Sequence, residues 1–155
     1  MNLLNLKILK EVPDFLIKAR ISELQALLGG PTLIHLEGEN KKPLFISTLL
    51  HGNEHSGFMA IQKLLQDFQK RPLKRSLIIF IGNTMAAESG HRHLVEQVDF
   101  NRVWNGGSGE LAQVASSVLD YVKDYQLFAS VDIHNNTGKN PYYGCINKID
   151  DQFFF

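Results

Sequence analysis

Six consecutive residues, Ser76-Leu77-Ile78-Ile79-Phe80-Ile81, form the most apolar run in the chain. A short run of this kind reads as a central strand buried on both faces. Such a strand needs cover above and below, so the fold must place helices on both sides of a sheet. The rest of the sequence meets that demand. Strand-like runs at 32–37, 44–50 and 127–133 alternate with amphipathic helical patterns. One pattern covers 56–69, with Phe58, Ile61, Leu64, Leu65 and Phe68 on its inner face. Another covers 109–125, with Leu111, Val114, Val118, Leu119 and Val122 inward. A third, through Ile17, Ile21, Leu24 and Leu28, lies between Pro13 and Gly29-Gly30, residues suited to start and stop a helix. This alternation predicts an α/β fold, a mixed, largely parallel sheet flanked by helices. The turn at 38–42 predicts a hairpin joining strands 32–37 and 44–50. Residues 142–146 read as a short last strand, with Tyr142 and Tyr143 packing in the core in preference to bordering the pocket.

At 155 residues, one domain spanning 1–155 is the expectation. The formal net charge is zero, without a basic or acidic block, which argues against a nucleic-acid or membrane surface. There is no long apolar span and no leader-like start, so a cytoplasmic protein is expected. The single Cys145 excludes an internal disulfide and reads as a small buried residue.

Two of the strands end in sharp polar breaks. Leu44-Phe45-Ile46-Ser47-Thr48-Leu49-Leu50 runs into His51-Gly52-Asn53-Glu54, and Ala129-Ser130-Val131-Asp132-Ile133 runs into His134-Asn135-Asn136. In open α/β sheets, ligand sites lie beyond the C-terminal ends of strands. Imidazole and carboxylate are both zinc donors, and a catalytic zinc takes three protein ligands and keeps a fourth position open. If the two strands are parallel neighbours, His51, Glu54 and His134 converge on one point. The competing reading is that the histidines are solvated or structural. Asp132, two residues before His134 and on the same side of its strand, is a candidate acceptor that orients a metal-bound imidazole; its alternative is to cap a nearby amide. Between the two breaks, residues 83–105 form a long polar segment of the kind that is usually functional or disordered.

Taken together, His51-Gly52-Asn53-Glu54, Asn83-Thr84-Met85-Ala86 with Gly90-His91-Arg92, Asp99-Phe100-Asn101-Arg102 and Asp132-Ile133-His134-Asn135 resemble the zinc carboxypeptidase-like succinylglutamate desuccinylase/aspartoacylase family. The resemblance covers residues 44–143. It implies one zinc per chain held by His51, Glu54 and His134, a substrate site lined by Arg92, Asn101 and Arg102, and N-acyl amino acids as small-molecule substrates. The residue chemistry agrees, because a guanidinium grips a carboxylate through two parallel hydrogen bonds. Arg92 is also the candidate partner for the oxyanion. Asp99 either orients a ligand or holds its loop, and His55, His91 and His93 are expected to be non-ligands.

The general base is the difficulty. The resembled family places a Glu well downstream of its third ligand, and no Glu follows His134 here. The chain ends Asp150-Asp151-Gln152-Phe153-Phe154-Phe155, which reads as a helix just starting. The expectation is therefore a C-terminally incomplete fold that binds zinc with impaired turnover, completed by a missing C-terminal segment or by association with another copy. The alternatives are a metallocarboxypeptidase acting on peptides and a non-catalytic zinc-binding fragment.

Overall fold

A computed structural model describes residues 5–69, 71–136, 138–139 and 141–146. Its elements in chain order are β1 (Lys7–Leu9), α1 (Leu24–Leu28), β2 (Thr32–Leu36), β3 (Asn40–Thr48), α2 (Ser56–Phe68), β4 (Arg75–Ile81), α3 (Thr84–Ser89), α4 (Glu110–Val122) and β5 (Ala129–Asp132). The strands form one sheet in the order β1-β2-β4-β3-β5. Only the β2–β4 pairing is antiparallel; β1–β2, β3–β4 and β3–β5 are parallel. The expected mixed, largely parallel sheet with flanking helices is what forms.

β4 holds the centre because its side chains alternate into two cores. Leu77, Ile79 and Ile81 point to the layer of α1 and α2, where they meet Leu24, Phe58, Ile61 and Leu65. Ile78 and Phe80 point to the α4 layer, with Phe45, Phe100, Val114 and Val118. The expected hairpin does not form for the same reason. β4, apolar on both faces, takes the place between β2 and β3, so each of them pairs with β4 and not with the other.

Residues 13–28 are not one helix. They form two 3-10 turns, Asp14–Ile17 and Ile21–Glu23, before α1. Gln62 of α2 donates its amide to the carbonyls of Leu16 and Ala19, both at 2.9 Å, carbonyls that a continuous helix would need for itself. Gly29, at φ 83°, ends α1 as expected. Leu119 lies outside the core of α4, half-exposed. Residues 142–146 contain no strand. Tyr142, Tyr143 and Cys145 are exposed there, beyond both cores, and not packed inside. The expected helix start at 150–152 lies outside the described residues. No helix among the described residues is long and apolar enough to cross a membrane.

A candidate metal centre at the ends of two parallel strands

β3 and β5 are adjacent and parallel, in register from Leu44↔Ala129 to Ser47↔Asp132. Their C-terminal ends therefore lie side by side. β3 stops because Leu49 adopts φ 54°, a left-handed conformation that costs a branched residue about 1–2 kcal/mol. The neighbouring segment holds it there, as Gly82 and Asn83 donate backbone N–H groups to the carbonyls of Thr48 and Leu49 at 3.0 and 2.7 Å. The chain turns, and His51 and Glu54 come to lie above the strand ends, with Glu54 N–H bonded to the His51 carbonyl at 3.1 Å. Gly52 is required in this turn. A Cβ there would sit 2.2 Å from the Ala86 carbonyl carbon of α3.

The three expected ligands meet. One donor atom from each of His51, Glu54 and His134 lies within 4.8 Å of the others. His51 Nδ1 faces Glu54 Oε1 at 2.8 Å, and His134 Nδ1 faces Glu54 Oε2 at 2.8 Å. The outer nitrogens are held from behind. His51 Nε2 bonds Asp99 Oδ1 at 2.9 Å, and His134 Nε2 bonds Asp132 Oδ2 at 2.6 Å. Asp132 is fixed in turn by the Ser47 hydroxyl, its register partner on β3, at 2.7 Å. His51 and Glu54 are buried, while His134 opens to solvent.

Arg92 completes the cluster. Its guanidinium bonds Asp99 Oδ2 at 3.0 Å and approaches Glu54 Oε1 at 3.7 Å. Its backbone carbonyl accepts from Gly52 N–H at 3.1 Å. Asn83 caps α3 through Ala86 N–H and binds Gln97, which also accepts from Leu94 N–H. That link pins the loop carrying Arg92, and nothing in the sequence pattern announced it. The next segment is anchored by Phe100, fully buried, stacked on Trp104 at 5.9 Å and edge-on to Phe80 at 5.7 Å. Asn101 joins the cluster only through its backbone N–H, which bonds Asp99. Arg102 is exposed, with its guanidinium on the Asn101 carbonyl and not on the cluster. His91 and His93 are exposed, and His55 precedes the first turn of α2.

The donor set fits a divalent ion. The cluster sets three carboxylates, Glu54, Asp99 and Asp132, against one guanidinium, Arg92, which reaches Asp99 and Glu54 while Asp132 bonds His134. The two negative charges left over are what one divalent ion neutralises with both imidazoles uncharged. Without an ion, a protonated His134 supplies part of that charge. Accordingly the hydrogen bond and charge of Asp132, helped by Glu54, raise the His134 pKa to about 9 against the pull of burial. Partial burial pushes Asp99 up, but the bonds from His51, Arg92 and Asn101 outweigh it and hold its carboxyl well below the usual range. Imidazoles whose outer N–H groups rest on carboxylates are the usual support for a metal-binding histidine.

The family model for the succinylglutamate desuccinylase/aspartoacylase catalytic domain matches residues 40–142. The succinylglutamate desuccinylase of Pseudomonas fluorescens (strain SBW25) is 36% identical over 70 residues, 44% of this chain and 20% of that protein. The crystal structure of a succinylglutamate desuccinylase from Vibrio parahaemolyticus superposes with a TM-score of 0.51 at 16% identity, over 63% of this chain and 36% of that one. At that identity the likeness establishes the zinc carboxypeptidase-like fold. The matched region thus spans about a fifth of the first relative and about a third of the second.

Proposed function

Because the chain belongs to the succinylglutamate desuccinylase/aspartoacylase family, we propose that it binds one zinc ion through His51, Glu54 and His134 and serves hydrolysis of the amide bond of N-acyl amino acids. The observation that carries this reading is the convergence of three donors from the ends of two parallel neighbouring strands. Zinc held there would supply a Lewis acid and a water of lowered pKa.

The chain's own residues do the rest. Asp99 and Asp132 keep the outer nitrogens of both imidazoles protonated, leaving the inner nitrogens free as donors. The half-exposed guanidinium of Arg92, beside Glu54, is placed to take a substrate carboxylate or the oxyanion of the attacked carbonyl. Asn101 and Arg102, on the adjoining 3-10 turn, would extend the substrate side.

Among the described residues, the cluster holds no carboxylate left over to act as a general base. Glu54 faces both histidines, and Asp99 and Asp132 are each taken by an imidazole. Glu88 and Glu96 are exposed and make no hydrogen bond to the cluster. A carboxylate already committed to an imidazole accepts a proton from water poorly. The proposal is therefore zinc binding with slow turnover by this chain. Metal analysis after dialysis, alongside hydrolysis of N-acetyl and N-succinyl amino acids and short peptides, tests both halves. The expected result is about one zinc per chain with hydrolysis close to background. Less than roughly a tenth of an equivalent bound would sink the metal reading. Turnover at about 1–1,000 per second would sink the claim of a missing base.

A further inference from the structure

We propose that Lys10, Tyr121 and His35 form an acid-released latch between β1 and α4: a neutral His35 holds it shut, and a proton on His35 drives Lys10 out. The inference goes beyond the zinc reading and involves none of the metal cluster.

His35 is 3% exposed and sits on the α4 face of β2, two residues on from the core residue Leu33. β1 ends beside it, because the last register pair is Leu9↔Ile34 and the next residue is Lys10. Tyr121, near the end of α4, joins the two. Its hydroxyl oxygen accepts from Lys10 Nζ at 2.6 Å and lies 2.8 Å from His35 Nδ1. The Lys10 ammonium also stands 5.2 Å over the Tyr121 ring and 3.4 Å from His35 Nδ1. An ammonium has protons to give and no lone pair to offer. Lys10 therefore donates to the phenol, the phenol donates to His35 Nδ1, and His35 is neutral with its lone pair on that nitrogen. A cavity of about 580 Å³ lies alongside, with Leu6 and Ile8 on one wall and Tyr121, Asp124 and Tyr125 on the other. The latch thus spans a gap that packing does not fill.

A proton on His35 turns Nδ1 into a donor and sets a second positive charge 3.4 Å from the Lys10 ammonium. The surrounding groups leave that conflict in place. Glu37 and Lys41 act on His35 with opposite signs and are paired with each other. Tyr125, edge-on to the ring at 4.9 Å, is a phenol whose pKa its bond with Tyr121 raises. Asp120 of α4 is paired with Lys123 at 2.7 Å. Burial and Lys10 accordingly lower the His35 pKa. Lys10 is exposed, so swinging into water relieves the conflict. In the released form His35 regains an ordinary pKa of about 6.5. Opening is then insensitive to pH above that value and grows as pH falls through it, by at most about tenfold per pH unit. The plainer alternative is a fixed polar network, whose opening does not depend on the charge of His35.

The test follows the His35 ring by NMR and hydrogen exchange of residues 5–12, corrected for its intrinsic pH dependence, from about pH 7.5 to about pH 5. Wild type is compared with Lys10→Met and His35→Asn. Asn places an amide oxygen near the position of Nδ1 and takes no proton. It also keeps the metal cluster, so any titration there appears in both proteins. In wild type His35 should titrate below about 6.5, and exchange at 5–12 should quicken by about three- to tenfold towards acid. In Lys10→Met the His35 pKa should rise and the pH dependence of exchange should fall away. His35→Asn should show no acid quickening; if it does not fold, Lys10→Met, at an exposed position, decides. Wild-type exchange at 5–12 that is no faster in acid overturns the proposal. So does equal quickening in His35→Asn, or a His35 pKa unmoved by Lys10→Met.

Discussion

Replacing Gly52 by Ala perturbs the site through backbone packing alone. The added Cβ would lie 2.2 Å from the Ala86 carbonyl carbon, 2.3 Å from Ala87 N and 2.6 Å from Ala86 O. Ordinary carbon contacts are about 3.5–4.0 Å, so the turn and α3 must separate by roughly 1 Å or more. Both sides of the clash are backbone, so no rotamer change relieves it. Overpacking of this kind costs about 1–3 kcal/mol, or roughly 2–4 °C in Tm per kcal/mol for a chain of this size. The displaced turn carries both His51 and Glu54 and loses its bond to the Arg92 carbonyl. Zinc affinity should therefore fall by on the order of tenfold or more, as it does when the support of a ligand is lost. Gly38→Ala is the control. Its Cβ would meet the Arg75 carbonyl carbon at 2.3 Å, an equal clash in a different connection, between β2 and β3. Urea unfolding of the metal-free proteins and zinc titration by chelator competition give the two readouts. Both variants should lose stability, and only Gly52→Ala should lose zinc. Wild-type zinc affinity in Gly52→Ala, or an equal loss in Gly38→Ala, would refute the reasoning.

Other consequences follow from single side chains. Arg92→Lys keeps the charge but cannot form two parallel bonds, so N-acetylglutamate binding to the zinc-loaded chain should weaken by about tenfold; calorimetry showing equal affinity would remove Arg92 from the substrate side. Phe80→Ala empties a fully buried site edge-on to the stacked rings of Phe100 and Trp104 and should cost about 3–5 kcal/mol in urea unfolding. The His35 pKa is lowered by burial and by Lys10, and its Nδ1 bonds the Tyr121 hydroxyl at 2.8 Å. The unfolded chain then binds more protons as pH falls below about 6.5, so acid should destabilise wild type more steeply than His35→Gln across that range. In the metal-free chain, the raised His134 pKa contributes stability that is complete below about 6.5 and is lost as pH rises through about 9. Urea midpoints on either side of that window should differ in wild type and converge in Asp132→Asn.

The parts of this fold that repeat at a regular period were legible in the sequence. The two-faced apolar run of β4 fixed the layered α/β arrangement, and the paired strand breaks located His51, Glu54 and His134 before any geometry was known. Pairing partners were less legible. The polar turn at 38–42 looks the same whether it closes a hairpin or lets a third strand in, and only the two-core demand of β4 decides. Residues 13–28 keep a helical period, yet Gln62, far away in sequence, takes two of the carbonyls. The left-handed Leu49 had no signal, because it is imposed by bonds from Gly82 and Asn83. The Asn83–Gln97 pin is also a long-range fact, carried by two common polar residues with no spacing rule between them. Chemistry with a motif could be read directly, while the struts that aim it depend on neighbours brought in by the fold.

X-ray absorption at the zinc edge tests the shared site most directly, with the wild-type chain and His134→Ala loaded with zinc side by side. A site shared by His51, Glu54 and His134 requires two imidazole nitrogens at about 2.0–2.1 Å and carboxylate oxygen at about 2.0–2.2 Å in wild type, with one imidazole lost in the variant. A wild-type spectrum with fewer than two imidazoles, or one unchanged by the substitution, would contradict it.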